Sequence, residues 1–264
     1  MKKILAFALV FAFVFLLCYN LFSQRDDTIS FDKGETKIIA HRGLSGLEIE
    51  NTDAAFIAAG ERSYYGIEAD VRRTSDGKFV ICHDADLIRL AWKNVSIEDS
   101  TLEELLDISL RNGLVKDKSE SINLTTLEKY ISICAKYNKK AILELKSLFS
   151  RKEIEEMVKV IDNLGYLENV VFISSDYASL THIRTLLPEQ SVQFICQKMD
   201  EEIAKRLIKD KVDIAIKHVY LTEELVDRFH AEGLKVNCWT VDSKIRAEKL
   251  ASWGVDYITT NILE

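Results

Sequence analysis

Proline is almost missing from this chain: Pro188 is the only one among 264 residues, and only ten glycines accompany it. Collagen-like, polyproline and Gly/Ser-linker architectures are therefore excluded, and no low-complexity run interrupts the chain after residue 35. An excess of positive charge is missing as well. Thirty-five Lys and Arg stand against 42 Asp and Glu, and the formal net charge of -7 argues against nucleic-acid binding carried by bulk charge. An anionic ligand would have to meet a local cluster of cations. The cysteines are few and unpatterned. Cys18, Cys82, Cys134, Cys196 and Cys238 form neither a CxxC pair nor a zinc spacing, and three of the last four fall in strand-like runs, where they read as small buried hydrophobes rather than disulfide partners. What the chain does have is 47% hydrophobic residues beside 29% charged ones, the balance of a globular protein.

The N-terminus differs in kind. Lys2 and Lys3 precede an apolar run from Ile4 to Phe22, broken only by Asn20. As a helix its 19 residues would span roughly 28 Å, close to the hydrocarbon thickness of a bilayer. Leu21-Phe22-Ser23 makes a poor cleavage site, and a lipoprotein signal would need a small residue before Cys18, where Leu17 stands. Residues 1–22 are therefore expected to be an uncleaved single-pass membrane anchor with its N-terminus inside, and the globular part outside the cytoplasm. Secretion after cleavage is the alternative. Residues 23–35 are polar and read as a tether to a domain spanning 36–264.

Within that domain, short β-rich runs alternate with amphipathic stretches. The expected parallel strands are Lys37–His41, Gly66–Val71, Ala141–Leu145, Val170–Ser174, Val192–Cys196, Val212–Ile216, Lys235–Thr240 and Asp256–Thr260. Helical spacing marks Lys152–Leu164, Glu201–Lys209, Glu223–Glu232 and Lys244–Trp253. Eight such units predict an α/β fold, a TIM (β/α)8 barrel, with a doubly wound open sheet as the rival. One segment breaks the repeat. Phe79–Cys82 looks like a strand, but only the turn Thr74-Ser75-Asp76-Gly77 separates it from the second strand. A parallel crossover needs about a dozen residues, so the two must form an antiparallel hairpin. That hairpin opens an excursion running to about residue 124, in which Ser100-Thr101-Leu102-Glu103 offers a capping-box helix start. A turn near Asp76 returns His83 to the level of Glu68 and Asp70.

Barrel chemistry sits at the C-terminal ends of the strands. Those ends read His41-Arg42-Gly43, Glu68-Ala69-Asp70, Glu144-Leu145-Lys146, Ser174-Ser175, Lys217-His218, Trp239 and Asn261. Glu68 and Asp70, two apart, point to one face of a strand, as do Glu144 and Lys146. Unpaired carboxylates inside a barrel cost several kcal/mol each, and a divalent cation relieves that cost. All-oxygen ligands favour a hard ion, Mg²⁺ or Ca²⁺, over zinc. A phosphodiester completes the charge balance, since three carboxylates and one diester are matched by one divalent ion, Arg42 and Lys146. His41 and His83, arriving from different elements, suit general acid–base catalysis. His182 and His230 lie in helical patterns and read as surface residues; His218, at a strand end, stays open.

His41-Arg42-Gly43, Glu50-Asn51-Thr52, Glu68-x-Asp70-Val71, Thr74-x-Asp76-Gly77, Val80-x-x-His83-Asp84, Glu144-x-Lys146 and Trp239 together resemble the glycerophosphodiester phosphodiesterase family, in order and spacing. The likeness runs from about residue 36 to residue 261. It implies an acid–base pair in His41 and His83, a metal site in Glu68, Asp70 and Glu144, and phosphate contacts from Arg42 and Lys146. Trp239 would pack against the glycerol. The implied reaction releases an alcohol from a small glycerophosphodiester and leaves glycerol 3-phosphate, through attack of the substrate's own glycerol hydroxyl on phosphorus and hydrolysis of a cyclic phosphate. Asn51 and Thr52 would cap the first helix, with Asn51 also supporting the metal site. Two departures stand out. Ile49 replaces the usual proline before Glu-Asn-Thr, and Asn261-Ile262 replaces the usual Asp-Pro after the last strand. Both are expected to be loop changes that bear on substrate preference. Phospholipase C or sphingomyelinase D-like cleavage of intact lipids is the enzymatic alternative, and a non-catalytic barrel that binds a phosphorylated ligand is the other.

Overall fold

Apolar runs flanked by amphipathic helices have one low-energy arrangement here, strands inside and helices outside. The computed structural model describes residues 27–111 and 122–264. Its strands are β1 (Lys37–Ala40), β2 (Gly66–Arg73), β3 (Phe79–Ile81), β4 (Thr125–Thr126), β5 (Lys140–Leu145), β6 (Val170–Ser174), β7 (Val192–Cys196), β8 (Asp213–Lys217), β9 (Val236–Trp239) and β10 (Tyr257–Thr260). Eight of them run parallel in the order β1-β10-β9-β8-β7-β6-β5-β2, and a β1–β2 pairing with Ile39 opposite Gly66 closes the ring. The chain thus folds as the closed eight-stranded TIM barrel expected from its sequence, and the open-sheet rival falls away.

The main core lies between the ring and its helices, where Phe56, Tyr130, Phe172 and Phe229 are fully buried. Inside the ring the apolar filling is small, chiefly Ile39, Ile142, Ile173 and Tyr257. On one side the filling turns polar. The Asn237 amide donates to Gln193 Oε1 (3.0 Å) and accepts from the Thr259 hydroxyl (3.0 Å). These buried polar groups satisfy one another, so the barrel can carry a polar floor beneath its mouth without the cost of orphaned donors.

β2 continues past the ring, and the turn at Thr74–Lys78 sends β3 back against it, with Val71 opposite Ile81. Gly77 has φ +77°, which favours a residue without a Cβ at that point of the turn. The hairpin is antiparallel, and the Cys82 N–H donates to the Asp70 carbonyl (2.8 Å), leaving His83 beside the Glu68–Asp70 pair as expected. A third strand, β4, pairs with β3 and was not expected, because Thr125-Thr126 is too short and polar to signal a strand. The excursion has a core of its own, including Leu87, Ile97, Leu105 and Leu124. Its capping box is shifted by one residue from the expected Ser100–Glu103 pair. Thr101 caps the helix Leu102–Leu106 and exchanges hydrogen bonds with Glu104, while the Ser100 hydroxyl donates to the Ser96 carbonyl instead.

The described part of the expected tether, residues 27–35, is docked. Ile29 bridges to Leu263, the Thr28 hydroxyl donates to Glu264 Oε2 (2.7 Å), and Ser63 N–H donates to Glu264 Oε1 (2.7 Å). The expected membrane anchor, residues 1–22 with Cys18, lies outside the described residues, and among those described no helix is long and apolar enough to cross a membrane. Cys82, Cys134 and Cys238 are buried free thiols and Cys196 is half-buried.

Candidate active site

The ends of β1, β2 and β5 carry charge because the ring register brings them level. Asp70 stands opposite Glu144 across the β2–β5 ladder. Glu68, Asp70 and Glu144 each offer a carboxylate oxygen, and these atoms lie within 4.8 Å of one another. Glu68 is 2% exposed and Asp70 is fully buried, yet Glu68 Oε1 and Asp70 Oδ1 have no hydrogen-bond partner. The cost of that arrangement shows in the acid strengths. Burial, with the adjacent charges of Asp70 and Glu144, drives the Glu68 carboxyl well above the usual carboxylate range, and burial with Asp70 pushes Glu144 up to about 7.

Nearby cations only partly offset this charge. Lys146 Nζ donates to Glu144 (2.8 Å) and lies 3.8 Å from Asp70, while Arg42 Nε lies 3.3 Å from Asp70. Arg42 also binds Glu50 (2.7 Å), which Arg89 holds from the other side, and Arg89 reaches Asp84 as well. Against the cost of burial, Arg89 and Arg42 hold Glu50 at about 2. Five carboxylates (Glu50, Glu68, Asp70, Asp84 and Glu144) thus share three cations (Arg42, Arg89 and Lys146). With all five ionised two negative charges remain, and a divalent cation would cancel them. The donor set is all oxygen, so the residues present fit a hard divalent ion. Asn51, which is not the helix cap (Thr52 fills that position), donates from Nδ2 to Asp70 Oδ2 (2.8 Å) and so steadies the acid from behind.

The imidazoles flank this cluster. His41, His83, Arg42, Glu68, Glu144, Lys146 and Trp239 all line one cavity of about 320 Å³, within the range of small-molecule sites. His83 is clamped by Arg72, whose guanidinium donates twice to its carbonyl (3.1 and 2.7 Å), and its Nδ1 lies 2.7 Å from Asp84 Oδ1. His41 Nδ1 lies 2.7 Å from Asn261 Oδ1. Burial lowers the pKa of both rings. Arg42 adds to that effect at His41, whereas Asp70 and Asp84 oppose it at His83. The Trp239 indole N–H donates to the Ala215 carbonyl (3.0 Å), which fixes the ring as a wall of the cavity. Every residue singled out for the site in the sequence is therefore in one place. His218 is elsewhere, its Nδ1 facing Arg246 Nε (3.3 Å) and its ring absent from the cavity lining.

Residues 41–264 match the family described as the glycerophosphoryl diester phosphodiesterase family. The chain belongs to this family. It is 32% identical over 233 residues to the protein YhdW of Bacillus subtilis, covering 85% of this chain and 93% of that one. It is 30% identical over 233 residues to a glycerophosphodiester phosphodiesterase of Caldanaerobacter subterraneus, covering 86% and 94%. Among solved structures, a phosphodiesterase of Oleispira antarctica in complex with the product sn-glycerol-3-phosphate superposes with a TM-score of 0.75 at 25% identity, over 85% of this chain and 92% of that one.

Sequence reasoning alone gave no role to Asp84, Arg89 and Asp242, and gave Asn261 only a bearing on substrate preference. Asp84 followed a histidine, a signal that went unused. Arg89, Asp242 and Asn261 act through tertiary contacts that no local pattern announces. The two departures also land differently from expectation. Ile49 is buried in the core of the excursion rather than facing the mouth, and Asn261 stands behind His41.

Proposed function

We propose that the protein hydrolyses small glycerophosphodiesters to glycerol 3-phosphate and an alcohol, with a divalent cation held by Glu68, Asp70 and Glu144 and with His41 and His83 as the acid–base pair. One observation carries this reading: three mutually repelling carboxylates, two of them buried with one orphaned oxygen each, cluster at a cavity lined by two imidazoles and two cationic side chains. The bound cation, Mg²⁺ or Ca²⁺, would neutralise the carboxylates and offset charge developing on the phosphate oxygens. Arg42 and Lys146 reach the same cavity and would hold those oxygens. One imidazole takes the proton of the attacking glycerol hydroxyl as the new P–O bond forms, and the other supplies a proton to the departing alcohol. In the second step, water opens the cyclic phosphate and the two rings return to their first states. Trp239 would pack against the glycerol. The product seen in the Oleispira antarctica neighbour supports the substrate class.

Cleavage of intact lipids is the competing reading. Both readings are tested by assaying the purified protein against glycerophosphocholine, a glycerol phosphate polymer and phospholipid vesicles, with and without chelation. The proposal expects cation-dependent release of alcohol from the soluble diester. Cleavage of vesicles alone, or activity that survives thorough chelation, would overturn it.

A further inference from the structure

The two imidazoles are backed by different chemistry, and the difference divides their work. His83 Nδ1 meets a carboxylate, Asp84, which Arg89 grips through its other oxygen (2.7 Å). His41 Nδ1 meets a neutral amide oxygen, Asn261 Oδ1, at the same distance of 2.7 Å. Asp242 sets the orientation of that amide. Its Nδ2 donates to Asp242 Oδ2 (2.7 Å) and its backbone N–H donates to Asp242 Oδ1 (2.8 Å), while the Ser45 hydroxyl, 2.8 Å from its Oδ1, also lies 2.7 Å from the His41 carbonyl. Asp242 cannot accept from an amide oxygen, so flipping the amide would break the contact with Asp242 and place an NH₂ against the ring. An amide oxygen only accepts. His41 must therefore carry its hydrogen on Nδ1, and Nε2 is left with a free lone pair.

We propose that Asn261, locked by Asp242, is the positioning residue that makes His41 the base of the first step, and that the Asp84–Arg89 pair makes His83 the acid. This rests on the two-histidine reading above. His41 Nε2 takes the proton of the glycerol hydroxyl as its oxygen bonds to phosphorus. The bond from phosphorus to the alcohol oxygen breaks, and that oxygen takes a proton from His83 Nε2. Water then attacks the cyclic phosphate and gives a proton to His83, while His41 protonates the ring oxygen that leaves. Protons and bonds balance over the two steps. A neutral amide offers a hydrogen bond but no ion pair to an imidazolium, so it favours a charged His41 less than the carboxylate favours a charged His83. The other charged groups that face the rings are Arg42, Asp70 and Glu50 at His41, and Asp70, Arg42 and Lys146 at His83.

The test is the pH profile of kcat and KM for glycerophosphocholine in the full chain with saturating Mg²⁺ or Ca²⁺. Asn261→Ala should lower kcat about tenfold or more with KM within about twofold. The isosteric Asn261→Asp, made together with Asp242→Asn so that an amide still donates across the 2.7 Å contact, should recover much of that rate at alkaline pH and move the acidic limb up by about one pH unit, because a carboxylate on Nδ1 raises the pKa below which the base is lost. Asp84→Asn should move the alkaline limb down, because the acid then loses its proton sooner. An acidic limb that stays in place in that double variant, or an undiminished kcat in Asn261→Ala, overturns the assignment of Asn261. A shift of the alkaline limb in the double variant would reverse the two roles and also overturn it. His41→Ala at wild-type rate would instead remove the two-histidine reading on which the proposal stands.

Discussion

His41 and His83 reach one cavity by two kinds of architecture. His41 follows a barrel strand whose position is set by β10 on one side and β2 on the other, so its place is a property of the closed ring. His83 ends a hairpin outside the ring and depends on β3, the Arg72 clamp and the small core of the excursion. The ring therefore supplies the three clustered carboxylates and one imidazole, while the second imidazole comes from a separately packed element. Local stability need not be uniform across such a molecule.

The largest effect should fall on both arms equally. His41→Ala and His83→Ala should each lower kcat by about 10²- to 10⁴-fold, with cation affinity retained in calorimetric titration. A variant that keeps near-normal turnover would break the symmetry of roles. The next effect should separate the arms. Leu87→Ala, in the excursion core, should cost about 2–5 kcal/mol of local packing and lower kcat through His83 while cation affinity holds; an equal loss of cation binding would show that ring and excursion are one unit.

A third effect concerns the ring alone. Burial and the neighbouring carboxylates raise the pKa of Glu68 and Glu144 in the folded, cation-free protein, so their contribution to stability is fully present below about pH 4.5 and is lost as pH rises, through about 7 in the case of Glu144. The melting temperature of the chelated protein should therefore fall between pH 5 and pH 8, and Mg²⁺ or Ca²⁺ should restore more at pH 8 than at pH 5. A melting temperature that rises with pH in chelator would contradict the strained-carboxylate account. The smallest effect is local to the excursion: Thr101→Ala should cost about 1 kcal/mol in denaturant unfolding, and Ser100→Ala less, as the observed cap requires.

Much of the ring was legible in the sequence because buried parallel strands must be apolar runs and must alternate with helices. The hairpin could be read for a stronger reason, since a four-residue turn cannot support a parallel crossover. The acids and histidines were legible because charge at strand ends is costly without a purpose. β4 escaped because two threonines carry no periodicity, and the capping box slipped by one because Ser100–Glu103 and Thr101–Glu104 satisfy the same pattern. Asn261 looked like a loop substitution. Its role depends on Asp242, nineteen positions earlier, and on His41 at the other end of the domain, a relation that only ring closure between β1 and β10 creates.

The convergence of Glu68, Asp70 and Glu144 on one ion is tested most directly by anomalous diffraction from crystals of the protein grown with Mn²⁺ in place of the native cation. The account predicts a single strong peak within coordination distance of all three carboxylates, on the cavity side between His41 and His83. A peak bound elsewhere, or no peak in crystals of a protein that hydrolyses diesters at full rate, would contradict it.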